Sequence, residues 1–168
     1  REVLFICNNC ALHLADGHTQ KVPGEGSLCS PIALIGEGPG FDEDKIGRPF
    51  VGRAGQLLTT ILNKLEIQRE RVYITNVIKC RPPQNRTPTS KEVDSCCKNL
   101  DTELFFINPK VIIALGAVPL KYFKPNGKIL SDRGKWVKSK GYWVMPTVHP
   151  AYILRQQGRD LRNIKWAV

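Results

Sequence analysis

A glycine-rich stretch directly after an apolar run constrains the fold of this chain more than any other feature. Residues 31–35 are short and apolar, which is the pattern of a buried strand. Three glycines follow between Gly36 and Gly40, and leucine and isoleucine then recur at helical spacing from Leu57 to Leu65. A strand, a glycine-rich turn and a helix in this order predict an α/β sheet, in which ligands bind beyond the carboxyl ends of the strands.

The rest of the chain repeats this alternation of strands and helices. Further strands are predicted at residues 72–78, 111–115 and 142–148. Helices are predicted at residues 54–65, from the capping-box pair Thr89 and Glu92 to before residue 108, and at residues 116–123. Residues 127–140 are predicted to form a basic excursion or a hairpin. We therefore expect one three-layer α/β domain with a mostly parallel sheet over residues 1–168.

Polar residues follow three of the four predicted strands. Glu37 comes after the first strand, Asn76 lies near the end of the second, and His149 comes after the fourth. Because the carboxyl ends of parallel strands share one edge of a sheet, we expect these three side chains to meet there. A solvated turn carboxylate, a structural asparagine and a packed histidine are the ordinary alternatives.

The charge balance indicates a polyanionic partner. The chain has 25 basic and 15 acidic residues, and between Lys121 and Lys140 there are seven basic residues and one acid. A second basic group lies near the end, at Arg155, Arg159, Arg162 and Lys165. Because no strongly amphipathic helix is visible, nucleic acid is favoured over an anionic membrane surface, and a merely solvated basic surface stays as the alternative.

Targeting patterns are missing from the sequence. There is no run of about eighteen apolar residues that would cross a membrane. The first residues lack the length and the cleavage site of a signal peptide. These observations predict a cytoplasmic protein without a membrane partner.

The cysteine spacing predicts a metal centre. Cys7 and Cys10 form a C-x-x-C pair, and fifteen residues separate Cys80 from Cys96. Four thiolates in two pairs suit a tetrahedral zinc ion or an iron–sulfur cluster, and the spacing alone leaves both open. Two cysteines remain: Cys97 is predicted to be a spare thiol and Cys29 a small buried side chain.

Three blocks of the sequence resemble one known family. Residues 36–58 resemble motif A of the family 4 uracil-DNA glycosylases, residues 72–88 resemble its second block, and residues 149–155 resemble its motif B. The four cysteines match its cluster ligands, so the resemblance extends from Cys7 to Arg155. It implies a central four-stranded parallel sheet in an α/β/α sandwich, a [4Fe-4S] cluster on Cys7, Cys10, Cys80 and Cys96, and excision of uracil from DNA. Such enzymes are prokaryotic, and we expect a cytoplasmic monomer.

The resemblance also implies how the base is recognised. An enzyme of this kind flips the nucleotide out of the duplex into a pocket. Phe50 would stack on the flipped base, although a core phenylalanine is the alternative. Asn76 would bind the Watson–Crick edge of uracil and reject cytosine, whose donor and acceptor pattern is reversed. His149 would donate to uracil O2 and stabilise the negative charge on the departing base.

Other site positions follow from the family resemblance. Glu37 would orient the attacking water or favour the cationic sugar. The better-known uracil-DNA glycosylases have an aspartate one position later, where this chain has Gly38, so a general-base role for Glu37 is not fixed by the motif. The resemblance places the Gly38 N–H on a uracil carbonyl and Glu43 at the pocket wall, unless Glu43 is a surface acid. The expected DNA contacts are Arg81, Arg86, Leu154 and Arg155.

Two other functions stay open at the level of the sequence. One is a module of the same fold that binds uracil-DNA without turnover or attaches to it covalently. The covalent variants carry an extra loop that contains histidine after the cluster region, and residues 81–90 contain no histidine. The other is a nucleic-acid-binding protein that is stabilised by zinc and has no catalytic activity.

Overall fold

A computed structural model describes residues 7–156, which form one mixed six-stranded sheet. Its strands are β1 (Glu25–Gly26), β2 (Ile32–Gly36), β3 (Tyr73–Asn76), β4 (Val111–Leu115), β5 (Val137–Ser139) and β6 (Tyr142–Thr147). The spatial order is β1-β3-β2-β4-β6-β5. The four inner strands are parallel, which confirms the predicted central sheet. Strands β1 and β5 pair antiparallel at the two edges; β5 lies within the segment predicted as a basic excursion or a hairpin, and no strand was predicted at β1.

Six α-helices accompany these strands within residues 7–156. They are α1 (Phe41–Ile46), α2 (Arg53–Lys64), α3 (Ser90–Ile107), α4 (Ala117–Phe123), α5 (Ile129–Asp132) and α6 (Pro150–Gln156), with 3-10 turns at Ala11–Leu14, Arg69–Arg71 and Pro83–Asn85. Helix α3 begins at the predicted capping box, in which Glu92 N–H donates to Thr89 Oγ1 over 3.3 Å and Thr89 N–H donates to Glu92 Oε2 over 2.7 Å. None of the helices in this part of the chain is long and apolar enough to cross a membrane.

The side chains of β2 point alternately to two helical layers. Ala33 and Ile35 pack in a core cluster with residues of α3, among them Leu100. Leu34 packs in a separate cluster with Leu58 of α2 and with other residues on the opposite face of the sheet. A β-strand sends alternate side chains to opposite faces, so the apolar run of β2 is buried on both sides. This arrangement is the predicted three-layer sandwich.

The structure differs from the sequence prediction at several positions. Helix α1 is not among the predicted helices; it has only six residues, between Gly40 and Gly47, which is too short for a helical period to be visible. The hairpin lies later than expected, because β5 and β6 join at Lys140 and Gly141, both at positive φ. Cys29 is exposed, so its prediction as a buried side chain was wrong. The second basic group extends to Arg159, Arg162 and Lys165, which lie outside the described residues.

Candidate active site

The carboxyl ends of the parallel strands open into one cavity of about 430 Å³. Gly36 at the end of β2 pairs in register with Asn76 at the end of β3, and Leu115 of β4 pairs with Thr147 of β6. Eight of the predicted site residues line this cavity: Glu37, Gly38, Glu43, Phe50, Asn76, Arg86, His149 and Arg155. The structure therefore brings together the polar groups that the strand-end argument had placed at one edge.

The side chain of Asn76 occupies space that is free only because residue 36 is a glycine. Asn76 is 2% exposed and lines the cavity. A Cβ atom added to Gly36 would lie 2.4 Å from Asn76 Oδ1 and 2.5 Å from Phe50 Cζ. Among residues 7–156, the only hydrogen bond to Asn76 outside the sheet ladder is the one that its backbone carbonyl accepts from Lys79. The amide can therefore pair with a ligand in the cavity.

Phe50 adopts a backbone conformation that is unusual for an aromatic residue. Its φ angle is 54°, in the left-handed region, which costs on the order of 1–3 kcal/mol and persists only where neighbours impose it. Arg69 donates to the preceding Pro49 carbonyl over 2.7 Å, and Gly55 leaves room for the Phe50 carbonyl, which a Cβ there would meet at 1.9 Å. The ring lies 5.6 Å from the imidazole of His149. A stacking surface and a polar ring thus lie side by side.

Glu43 stabilises the glycine-rich wall of the cavity by hydrogen bonds to its backbone. It is 9% exposed, so the alternative of a surface acid is wrong. Its carboxylate accepts hydrogen bonds from the backbone N–H groups of Gly40 at 3.1 Å, Val51 at 2.9 Å and Gly52 at 2.8 Å. These bonds join the loop before α1 to the loop before α2. Glu43 therefore fixes the backbone at Gly40, just before α1, and at Val51 and Gly52, just after Phe50.

His149 is oriented by its own helix. The backbone N–H of Ala151 in α6 donates to His149 Nδ1 over 3.1 Å, so a neutral imidazole carries its proton on Nε2. Burial, with a smaller contribution from the Arg155 guanidinium, lowers the pKa of His149 to about 4. Gly116 at the end of β4 provides the space beside the ring, because a Cβ there would lie 3.2 Å from His149 Cβ. At neutral pH the residue is an uncharged hydrogen-bond donor.

Glu37 is the second titratable group of the cavity. Burial raises its pKa, and this effect outweighs the opposite effects of a hydrogen bond with the Thr87 side chain and of the Arg155 guanidinium. A carboxylate with a raised pKa is a stronger base for a proton of water. Sequence reasoning had missed Thr87, because a threonine in a proline-rich loop carries no pattern that links it to Glu37.

The predicted DNA contacts divide into two groups. Arg86 and Arg155 are exposed at the cavity wall, although Arg86 also forms a bidentate ion pair with Glu92, at 2.9 and 2.6 Å. Arg81 donates to Asn85 Oδ1 over 2.7 Å and to the Gly17 carbonyl over 3.2 Å, and it does not line the cavity. Leu154 lies half-buried on α6, also outside the lining.

A second cavity contains the four predicted ligands. Cys7, Cys10, Cys80 and Cys96 all line it, whereas Cys97 does not; its thiol donates to the Asp94 carbonyl instead. Asn99 Nδ2 lies 3.6 Å from Cys96 Sγ and 3.9 Å from Cys7 Sγ. Burial and the neighbouring thiols of Cys96, Cys10 and Cys7 raise the pKa of Cys80 to about 12.

The chemistry of this second cavity suits a centre held by sulfur. Among residues 7–156, no group of three or more Cys, His, Asp or Glu side chains is arranged to hold a metal ion, and the four thiols share one cavity. The four cysteines are soft donors, and N–H groups near cysteine sulfur are typical of iron–sulfur sites. The residues therefore fit a cluster by donor type and by their shared cavity.

Comparison with known proteins identifies the family. The family model described as "Uracil DNA glycosylase superfamily" matches residues 23–167. The Type-4 uracil-DNA glycosylase of Thermotoga maritima is 50% identical over 163 residues, which cover 94% of this chain and 83% of that protein. The corresponding protein of Archaeoglobus fulgidus is 41% identical over 175 residues, with 95% and 84% covered, and that of Sulfurisphaera tokodaii is 44% identical over 164 residues, with 92% and 74% covered.

The chain belongs to the type-4 uracil-DNA glycosylases. This membership confirms the resemblance that the three motif blocks had indicated. The match includes the cavity at the sheet edge, since every residue of its lining lies within residues 23–167.

Glycine at position 36 of this family member allows a direct test of the cavity geometry. We expect Gly36→Ala to lower the rate of uracil release by roughly 10²-fold, because a displacement of about 1 Å at reacting groups has an effect of that size. The new methyl group would displace Asn76 or Phe50. The rate should be measured under single-turnover conditions, with the variant in molar excess over a uracil-containing duplex.

Gly141→Ala is the matched control for this substitution. Gly141 has a φ of 86° and no atom within 4 Å of an added Cβ, and it lies in the β5–β6 turn at the opposite end of the sheet. Its alanine variant should lose about 1 kcal/mol of unfolding free energy from left-handed strain and keep its activity. Wild-type activity in Gly36→Ala would contradict the proximity of Gly36 to Asn76 and Phe50.

Proposed function

We propose that this protein removes uracil from DNA by binding the flipped nucleotide in the sheet-edge cavity and hydrolysing its N-glycosidic bond. The observation that supports this proposal most is that a buried amide, an aromatic ring and a neutral imidazole donor line one cavity. The product would be free uracil and an abasic site in DNA. The Type-4 names of the relatives agree with this activity.

Asn76 is the group proposed to recognise the base. A primary amide offers one acceptor and two donors, which can pair with the N3–H and O4 of uracil. Cytosine presents an acceptor at N3 and an amine at position 4, so the same orientation of the amide would leave both partners unpaired. Buried polar groups without partners are costly, and a site built to form such bonds discriminates strongly against a base that cannot form them.

His149 is the group proposed to assist departure of the base. As the glycosidic bond breaks, negative charge develops on uracil and positive charge on the sugar. Nε2–H of the neutral imidazole would donate to uracil O2, where part of that charge collects. One donor placed at a developing anion contributes about 3 kcal/mol to the lowering of the barrier.

Glu37 is proposed to act on the opposite side of the bond. Its carboxylate would orient the water that attacks the sugar, or stabilise the oxocarbenium-like sugar by its charge. The raised pKa favours acceptance of a proton from that water. The DNA itself would be held by Arg86 and Arg155 near the cavity and by Arg81 farther away, through their charge on phosphates. Leu154 is proposed to enter the space that the flipped base vacates.

We propose that a [4Fe-4S] cluster is held by Cys7, Cys10, Cys80 and Cys96. When bound, such a cluster would link residues 7–14 to α3 and to the loop that follows β3, because its ligands come from these three segments. Hydrolysis of a glycosidic bond needs no electron transfer, so its role would be structural. We further propose that the protein acts as a monomer in the cytoplasm.

The two adjacent cysteines of α3 allow a matched test of this assignment. We expect Cys96→Ser to remove most of the iron and sulfide that purify with the protein, together with its brown colour. Cys97→Ser should leave both unchanged, because Cys97 lies outside the cavity that the other four share. Metal and sulfide analysis of the purified variants gives the answer. Zinc without sulfide in the wild type would favour the alternative of a zinc-stabilised protein.

The proposed activity is tested by release of free uracil from a duplex with one U·G pair. We expect stoichiometric uracil and an abasic strand from wild-type protein, and no base release from the same duplex with a C·G pair. Tight binding of the uracil duplex by protein that retains its iron, without any release, would overturn the proposal. That result would favour the alternative of a uracil-DNA-binding module.

A further inference from the structure

Lys79 is a buried charged residue that the proposed mechanism does not use. It lines the cysteine cavity, and its ammonium group contacts the backbone of Asn76, which lines the sheet-edge cavity. Lys79 is 1% exposed and is the largest fully buried side chain within residues 7–156. Its ammonium group donates three hydrogen bonds, to Thr75 Oγ1 at 2.6 Å, to Glu103 Oε2 at 2.6 Å and to the Asn76 carbonyl at 2.8 Å. All three N–H donors of the ammonium are therefore used.

Glu103 ties this lysine to α3. Its Oε2 also accepts from the Thr75 hydroxyl at 2.7 Å, and its Oε1 accepts from the Gly24 backbone N–H at 3.0 Å. Cys96, Asn99 and Glu103 follow each other at spacings of three and four residues, so they lie on one face of α3. The network thus joins the end of β3, the edge of the sheet at β1 and the helix face that carries a predicted cluster ligand.

Stability alone is a weak explanation for this ion pair. Removing a lysine and a glutamate from water is costly, and apolar side chains of similar volume often give equal or greater stability. The pair instead contacts the backbone of the one residue proposed to recognise uracil. The side chain of Asn76 has no hydrogen-bonding partner of its own among the described residues, so its position depends on that backbone and on packing against Gly36 and Phe50.

We propose that Lys79, through its ion pair with Glu103, is a positioning residue that fixes Asn76 for uracil recognition. The proposal rests on the proposed function. Lys79 does not touch the base; it anchors the carbonyl of Asn76 and the hydroxyl of Thr75, the preceding residue of the strand. Its loss should impair affinity for the base more than affinity for DNA.

The test uses the double variant Lys79→Met/Glu103→Leu, because Lys79→Met alone leaves Glu103 buried without its partner and is expected to unfold more easily. We expect the double variant to keep its iron and to stay folded in buffer, with a lower urea midpoint than the wild type, because the Gly24 N–H and the Thr75 hydroxyl lose the carboxylate that accepts from them. Inhibition by free uracil should weaken by about 10²-fold, and KM for uracil-DNA should rise more than kcat falls. Binding of abasic-site DNA, which has no base for Asn76, should stay unchanged.

The outcomes separate this proposal from the proposed function. A double variant that is inhibited by free uracil as strongly as the wild type would overturn the positioning role, and so would one that loses its iron, since Lys79 would then support the cysteine cavity instead. A wild-type protein that releases no uracil would overturn the proposed function itself. Lys124→Met/Asp132→Leu is the control, because it removes a lysine ion pair that has no hydrogen bond to Asn76. It should leave uracil inhibition unchanged.

Discussion

Replacing His149 by alanine is expected to lower the rate of uracil release about 10²- to 10³-fold, as loss of one donor at a developing anion does. The ring is held by Ala151 with its Nε2 proton free to donate, and alanine supplies no substitute. The rate of uracil release, measured with enzyme in excess over DNA, should fall by this factor, whereas the affinity for uracil-DNA should change only weakly. Single-turnover measurements separate the two quantities.

The pH dependence provides the control for this substitution. Because burial lowers the pKa of His149 to about 4, its protonated form is scarce above about pH 5, and titration of this residue should not reduce the rate between neutral pH and that value. The rate of His149→Ala should therefore follow the same pH dependence as the wild type in that range, at a lower level. A wild-type rate that falls with a pKa near 6.5, and a flat profile in the variant, would contradict a neutral His149.

Replacing Asn76 by leucine is expected to have an effect of similar or greater size, about 10³-fold on kcat/KM for uracil-DNA. Leucine has the same number and branching of side-chain heavy atoms but offers neither donor nor acceptor, so N3–H and O4 of uracil would lose their partners in a cavity where Asn76 is 2% exposed. Free uracil should also cease to inhibit. Competition assays with uracil and steady-state kinetics measure both effects.

Asn63→Leu is the matched control for this substitution. Asn63 is exposed near the end of α2 and does not line the cavity, so the same chemical change there should leave kcat/KM within about twofold of wild type. If Asn76→Leu retained the uracil inhibition of the wild type, another group would have to recognise the base.

The sequence was sufficient to predict the parts of the fold with strong local patterns. Strands β2 and β4 are continuous apolar runs, and helix α3 opens at a capping box, so each could be located from its own residues. The shared edge followed from the parallel order of those strands. Glu37, Asn76 and His149 meet in one cavity for this reason, although they are far apart in the chain.

The features that could not be predicted depend on contacts between distant segments. Strand β1 has two residues, and only its pairing with Tyr73 and Ile74 makes it a strand. Glu43 resembles a surface acid in the sequence, because the N–H groups that it binds come from two separate loops. Lys79 follows the predicted strand at residues 72–78, and its partner Glu103 lies 24 residues away on α3. Hydrogen bonds of this kind have no sequence period that would reveal them.

The most direct test of the central claim is a crystal structure of the wild-type protein with free uracil. We expect the base in the sheet-edge cavity, against the Phe50 ring, with N3–H and O4 paired to the Asn76 amide and O2 accepting from His149 Nε2. Uracil bound with another edge toward Asn76, or bound outside the cavity that Glu37, Asn76 and His149 share, would contradict the account.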